Sequence, residues 1–415
     1  MKKKIRALFI QPQIDPSSVT TVHSLLIRNF DRERVEPHVA CPITGTNGQP
    51  APAYDMWKSI PGLHIHPTKF GSLNFEGTKI DVARKKTFAG LALAASMTGL
   101  VRYVKQHSIE VVHVSEMPRD ALCGILLAKL TNAKCIFHLH VQWGNWMSSR
   151  VNWALRDADG IIGISQFVIQ SILTRGFLPE KIHLVHNGLD LSNWHEDTGG
   201  QKIRQEFNIP NNVPLLTSIS HLVPWKGHES LLKALVKVRE EIPDFRLLIV
   251  GDELPGVSLP DGSSYKVHLK NKVFELGLDE QVIFAGSRSD IQQILAACDI
   301  SALPSHEEGF GLSHLEAMAM QKPVIALESG ATSEVVEHGK SGLLSLPDDV
   351  SQLAANILTL IHNPTLRSQM GAYGRLRVEH YFNPRRMADQ VEDVYRLVLR
   401  RLAVPQLEDV QSAIQ

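Results

Sequence analysis

The sequence predicts an α/β protein made of two successive doubly wound domains, and three observations carry that expectation. Short Val-, Ile- and Leu-rich runs alternate with amphipathic segments along the chain, as parallel strands covered by helices do. The 415 residues exceed what one ordinary hydrophobic core serves. A polar, turn-forming stretch, "NGLDLSNWHEDTGGQ" (187–201), interrupts the rhythm, which then restarts.

In the first half, strands are expected at 6–11, 36–41, 110–115, 134–140, 160–165 and 181–186. In the second they are expected at 214–220, 246–251, 281–286, 299–304 and 323–327, with helices such as 225–241 between them. The tail at 384–403 reads as a long amphipathic helix with no strand after it, so it is expected to cross back to the first domain. The domains are therefore 1–195, 196–382 and a C-terminal helical segment, 383–415.

Composition excludes several function classes. Lys+Arg 43 balances Asp+Glu 43, which argues against a nucleic-acid partner. Cys41, Cys123, Cys135 and Cys298 are scattered and show no metal-ligand spacing, as buried thiols in a reducing compartment would be. The N-terminal "MKKKIRALFIQPQID" has too short an apolar run for a signal peptide, which needs roughly 7–15 residues. The run at 87–101 falls short of the ~20 residues that span a bilayer. A cytoplasmic protein is expected. Arg84, Lys85 and Lys86 precede that run, so a peripheral membrane contact stands beside the plainer reading of a helix covering a sheet.

Parallel sheets bind ligands beyond the carboxyl ends of their strands, so chemistry is sought there, with the two domains expected to face each other across a cleft. In "SHEEGFGLSHLEAMAM" (305–320) a strand end meets a glycine turn and a helix start. Unpaired N–H groups and the helix dipole suit a phosphate or diphosphate, and Gly309 and Gly311 let the backbone approach it. Glu308 and Glu316 are eight positions apart. Eight helical residues rise ~12 Å, so the pair does not share one atom in acid–base work. The two acids instead flank the anion site and accept hydrogen bonds from different sugar hydroxyls. The plain alternative is a solvated loop acid and a helix-surface acid.

The stretch "EEGFGLSHLEAMAMQKPVIALESGATSEVV" with "GKSGLLSLPDD" resembles the donor-site signature of retaining glycosyltransferases of the GT-B fold, family 4. "DADGIIGISQFVIQSILTRGF", "IHLVHNGLD", "WKGHESLLKAL", "FRLLIVGDE" and "VIFAGSRSDIQQILAACDISALPS" follow that family's order, so the resemblance covers most of 105–390. It implies that Glu308 contacts the donor sugar, Glu316 the ribose, and the backbone at Phe310, Gly311 and Leu312 the sugar and diphosphate. Lys226 matches the family's phosphate-binding Lys-Gly. His221 stands where the family usually has Arg, and with one donor and no full charge it leaves the clamp to be completed by another residue, for which Arg288 is the candidate. His140 matches the family's cleft histidine, which hydrogen-bonds the donor sugar, and His138 packs or supports it.

The resemblance further implies a front-face substitution with no protein nucleophile and no cofactor beyond a nucleoside diphosphate sugar. UDP-glucose is the first donor to consider, while the acceptor, whether saccharide, lipid or small molecule, is unreadable. Ser17 and Ser18 replace the Gly-Gly turn often found after the first strand, and Glu116 follows a strand end; these three are acceptor-side candidates. His138 and His140 share a strand face, but no third ligand at local spacing supports a metal, so none is expected. "GFGLSH" lacks the third glycine of a dinucleotide fingerprint, and "DADG" precedes a buried strand instead of following one. A sugar-nucleotide epimerase and a catalytically silent nucleotide-sugar binding protein remain as rival readings.

Overall fold

A computed structural model describes residues 4–45, 48–70, 79–144, 147–195, 199–254 and 256–400, and within the helix Lys79–Gln106 it describes side chains from 93 onward. Arg84, Lys85 and Lys86, the basis of the membrane-contact reading, therefore lie outside the described side chains. No helix among the described residues is long and apolar enough to cross a membrane.

The chain divides into two compact units. The first runs to Ile164 and adds Val168–Val185 and the helix Pro384–Arg400; the second holds Ser165–Phe167 and His186–Asn383. The polar stretch from Asn187 onward thus lies inside the second unit.

Seven parallel strands form the first unit's sheet: β1 (Ile5–Ile10), β2 (Val35–Cys41), β3 (His64–Pro67), β4 (Val111–Ser115), β5 (Lys134–Leu139), β6 (Gly160–Gly163) and β7 (Ile182–Leu184). Their spatial order is β3-β2-β1-β4-β5-β6-β7, which reverses direction between β1 and β4. The central strands are buried on both faces and read as continuous apolar runs, as a helix-covered parallel sheet requires. The helix Pro384–Arg400 buries Val391, Val394, Tyr395 and Val398 in this unit. Burial of each such side chain is worth about 1.5–3 kcal/mol. Tyr395 packs beside Phe30 and hydrogen-bonds His113 Nδ1 at 2.8 Å.

The second unit carries six parallel strands: β8 (Leu215–Ile219), β9 (Arg246–Val250), β10 (Val282–Gly286), β11 (Ile300–Ala302), β12 (Val324–Leu327) and β13 (Gly342–Ser345). Their order is β10-β9-β8-β11-β12-β13, with the switch point between β8 and β11. Leu231, Leu235 and Val238 of helix His228–Glu241 pack with Leu216, Leu247 and Ile300 in its core.

Two strands escaped the sequence reading. β3 is four residues, "HIHP", with its ends exposed at the sheet edge, and β13 is four residues, "GLLS". Neither is long enough to show a period or an apolar run. "DADG" also finds a structural use: Asp159 accepts from Lys134 Nζ and from the Cys135 N–H, both at 2.9 Å, and so pins the start of β5. All four cysteines are free and buried.

Candidate active site

In the second unit the loops after β8 and β11, the two strands at the switch point, and the helix start that follows β11 carry the predicted donor residues except Arg288, which follows the edge strand β10. After β8 the chain makes a single 3₁₀ turn, Pro224–Lys226, and the helix starts only at His228. The helix expected from 225 is thus shorter, and Lys226 sits in the turn before it. Gly227 between them has φ +74°, and a Cβ there would lie 1.8 Å from the Pro304 carbonyl oxygen, so the position admits only glycine. The His306 N–H donates to the Trp225 carbonyl at 2.9 Å, tying the two loops together.

That closeness brings Lys226 Nζ to 2.6 Å from Glu308 Oε2. Burial pushes the Glu308 carboxyl up, but the Lys226 ammonium outweighs it, with help from His314 and Ser305, and the net position is below the ordinary carboxylate range. Gly311 caps the helix Leu312–Ala319 at φ +96°, and a Cβ there would meet the His314 ring at 2.7 Å. The helix start leaves its first N–H groups without intrahelical acceptors at the carboxyl edge of the sheet, which is the geometry of an anion site. The Gly309 carbonyl is held by Ser165 Oγ at 2.8 Å, and Phe310 is buried against His186 and Phe382. Glu316 lies in the second helical turn, half-buried, and its carboxyl makes no hydrogen bond or ion pair among the described residues; burial alone pushes it up to about 7.

Arg288 does not serve as a free cation. Its guanidinium engages Glu206 at 2.5 and 2.9 Å and Asp290 at 2.8 and 2.7 Å, and those carboxylates raise its pKa further. Two acids already neutralise the charge that was expected to complete a phosphate clamp. His221 is exposed on the loop after β8.

Two residues of this unit went unread in the sequence. His314 is fully buried beside Glu308 and Gly311, and burial lowers it to about 4. Glu334 accepts from the N–H groups of Gln166 and Phe167 at 2.8 and 3.1 Å and pairs with His186 Nε2 at 3.0 Å. Its partners lie 148 to 168 positions away, beyond any local signal.

The first unit collects its candidates at the ends of β1, β4 and β5. Ser17 caps the helix Ser18–Asn29: its hydroxyl accepts from the Thr20 N–H at 3.2 Å, and Thr20 Oγ1 accepts from the Ser17 N–H at 2.6 Å. Ser18, next to it, is exposed. Glu116 is a buried acid. It accepts the His140 N–H at 3.1 Å, and burial pushes it up to about 7. Its neighbour Asp120, unread in the sequence, takes a 2.5 Å hydrogen bond from Ser115 Oγ and is pushed up to about 8 by the same cause.

His140 is half-buried and belongs to a histidine cluster invisible to local spacing, because His23 comes from a helix and His113 from another strand. His23, His113 and His138 each offer a ring nitrogen within 4.8 Å of the others, which could hold a transition ion. Those nitrogens already have partners: His23 binds Gln11 and His140, and His113 binds Tyr395 and His138. Only His138 Nε2, buried, has no partner among the described residues. Burial holds all four imidazoles well below the ordinary histidine value, His140 at about 3.

Comparison with known proteins covers both units. The family described as glycosyl transferases group 1 matches residues 200–377, and that described as glycosyltransferase family 4 matches 19–193. The chain is 26% identical over 318 residues to the N-acetyl-alpha-D-glucosaminyl L-malate synthase of Bacillus anthracis, covering 75% of this chain and 80% of that one. It is 27% identical over 310 residues to a GDP-mannose-dependent phosphatidylinositol monomannoside mannosyltransferase of Mycolicibacterium smegmatis, covering 71% and 78%. Among solved structures it is similar to Anabaena HepE in complex with UDP and glucose, with TM-score 0.75, 23% identity and coverage of 94% and 99%. A glycosyltransferase from Rickettsia africae gives TM-score 0.77 at 21% identity, covering 96% and 99%. These structures show the twin Rossmann-like GT-B fold.

Proposed function

Since the chain belongs to the glycosyltransferases whose group 1 model matches residues 200–377 and whose family 4 model matches 19–193, we propose that it moves a hexose from a nucleoside diphosphate sugar, UDP-sugar first, to an acceptor hydroxyl with retention. The observation that carries this is the cradle of the second unit. A lysine-paired Glu308 stands before a glycine-capped helix start, and Glu316, without a partner among the described residues, lies in the second turn of that helix.

In this reading the amides at 309–312 and Lys226 stabilise the leaving diphosphate. Glu308 orients the sugar and Glu316 takes the ribose hydroxyls. Lys226 would shift part of its charge from Glu308 to phosphate when donor arrives. His140 contacts substrate from the first unit's strand ends, where Ser17, Ser18 and Glu116 are the acceptor-side candidates; His221 is a secondary donor contact. The leaving phosphate oxygen accepts the acceptor's proton as the new glycosidic bond forms and the old one breaks, so neither a protein nucleophile nor a metal is required. The Anabaena neighbour's UDP supports a uridine donor, and the Mycolicibacterium relative's name supports GDP-mannose as the other donor to try. We place the reaction in the cytoplasm, with peripheral membrane contact if the acceptor is a lipid.

Incubation with UDP- and GDP-sugars, with and without an acceptor panel of saccharides, inositol phosphates, hydroxy acids and lipids, tests the proposal. Acceptor-dependent nucleotide release supports transfer. Isomerised donor would mean an epimerase, and binding without turnover a silent subunit.

A further inference from the structure

The first unit's histidine cluster contains one connected path that ends on His140. Gln11, the residue after β1, is fully buried, and its side-chain Nε2 lies 2.7 Å from His23 Nδ1. His23, also fully buried, places its other nitrogen, Nε2, 3.2 Å from His140 Nε2. The His140 main chain is fixed independently by Glu116, which accepts its N–H.

The polarity of this path follows from what each group can donate. An amide NH2 only donates, so His23 Nδ1 must accept and His23 carries its proton on Nε2. That proton points at His140 Nε2, which must then accept, leaving the His140 proton on Nδ1. As placed, Gln11 leaves its carbonyl oxygen unpaired and uses one of its two N–H groups; the reversed amide would leave both N–H groups unpaired, and buried unpaired N–H groups are rarer than under-satisfied carbonyls. Burial disfavours protonation of both rings, which keeps the argument to neutral tautomers.

We propose that Gln11 and His23 are positioning residues that lock His140 in the Nδ1–H tautomer, so that it meets a substrate oxygen as a hydrogen-bond donor. The proposal rests on His140 being a substrate contact, as read above. A sugar hydroxyl can donate or accept, but a locked donor fixes which it does, and with it the rotation of that hydroxyl. His140 then selects for an oxygen with a free lone pair and against a group that only donates.

The test is a long-range 1H–15N correlation spectrum of the full-length protein labelled with 15N-histidine, with the His140 signals identified by their loss in His140→Gln. The expected pattern is a pyrrole-type Nδ1 and a pyridine-type Nε2 for His140. Gln11→Glu, which replaces the donor by an acceptor, should transfer the His140 proton to Nε2. Gln11→Ala should give a tautomer mixture and a fall in kcat of about tenfold, the cost of one misoriented hydrogen bond, with the donor KM little changed. A wild-type His140 protonated on Nε2, or a tautomer indifferent to both Gln11 substitutions, overturns the proposal. The wild-type spectrum decides even if a variant fails to fold. It also reads the relay whether or not sugar is transferred, so failure of the relay and failure of the transferase reading are told apart.

Discussion

Lys226 Nζ lies 2.6 Å from Glu308 Oε2 although 82 positions separate them, and both side chains are largely buried. The pair exists because Gly227 lets the loop after β8 press against Pro304 at the end of β11. A buried carboxylate beside its lysine is held ionised and ready to accept from hydroxyls.

Lys226→Met should separate the two roles of the pair. Leaving Glu308 buried without its cation is expected to destabilise the fold by about 1–3 kcal/mol in urea unfolding, and Glu308 will titrate higher. Loss of the diphosphate charge contact should lower kcat by about 100-fold, beyond any loss of folded protein. Lys226→Met together with Glu308→Gln should recover most of the stability but none of the activity.

Glu316 gives a pH dependence with a definite sign. Its folded value, about 7, is above the ordinary carboxylate value, so the neutral form is favoured in the fold. The stability it contributes is full below the ordinary value and is lost as pH rises through about 7, at up to ~1.4 kcal/mol per pH unit. Donor binding runs the other way. The ionised carboxylate accepts better from ribose hydroxyls, so the donor KM should rise as pH falls below about 7. In Glu316→Gln the stability at pH 8 should increase and the KM profile over this range should flatten; a parallel profile in wild type and variant would remove Glu316 from donor binding.

Gly311→Ala tests the helix start. The left-handed φ and the 2.7 Å approach to the His314 ring mean that a methyl group must displace either the loop or the ring. The expected result is a fall in Tm and a loss of donor affinity of tenfold or so, with a circular dichroism spectrum like that of wild type.

Exhaustive chelation should leave transfer activity unchanged. The histidine nitrogens that could bind an ion are mostly engaged with one another and with Gln11 and Tyr395. Metal analysis of the purified protein, before and after chelation, checks this directly, and restoration of activity by zinc would contradict it.

The fold was largely legible because long parallel strands declare themselves as apolar runs; the short edge strands β3 and β13 did not. The cradle of the second unit was legible because strand end, glycine turn and helix start are contiguous in "LPSHEEGFGLSHLE". The histidine cluster was not, since His23, His113 and His138 come from three separate elements and meet only in the folded sheet. The pairing of Arg288 was hidden for the same reason, as Glu206 lies 82 positions away. The depth of Glu116 was not legible, because sequence shows the end of a strand but not how far the side chain after it is buried.

The central claim, that the second unit's two acids grip two different parts of a nucleotide sugar, is tested most directly by calorimetric binding of UDP and 2′,3′-dideoxy-UDP to wild type and Glu316→Ala. The account predicts that the variant loses about tenfold in affinity for UDP, the worth of one or two hydrogen bonds to a carboxylate, and nothing for the dideoxy analogue. Equal losses for both ligands, or no loss for either, would contradict it.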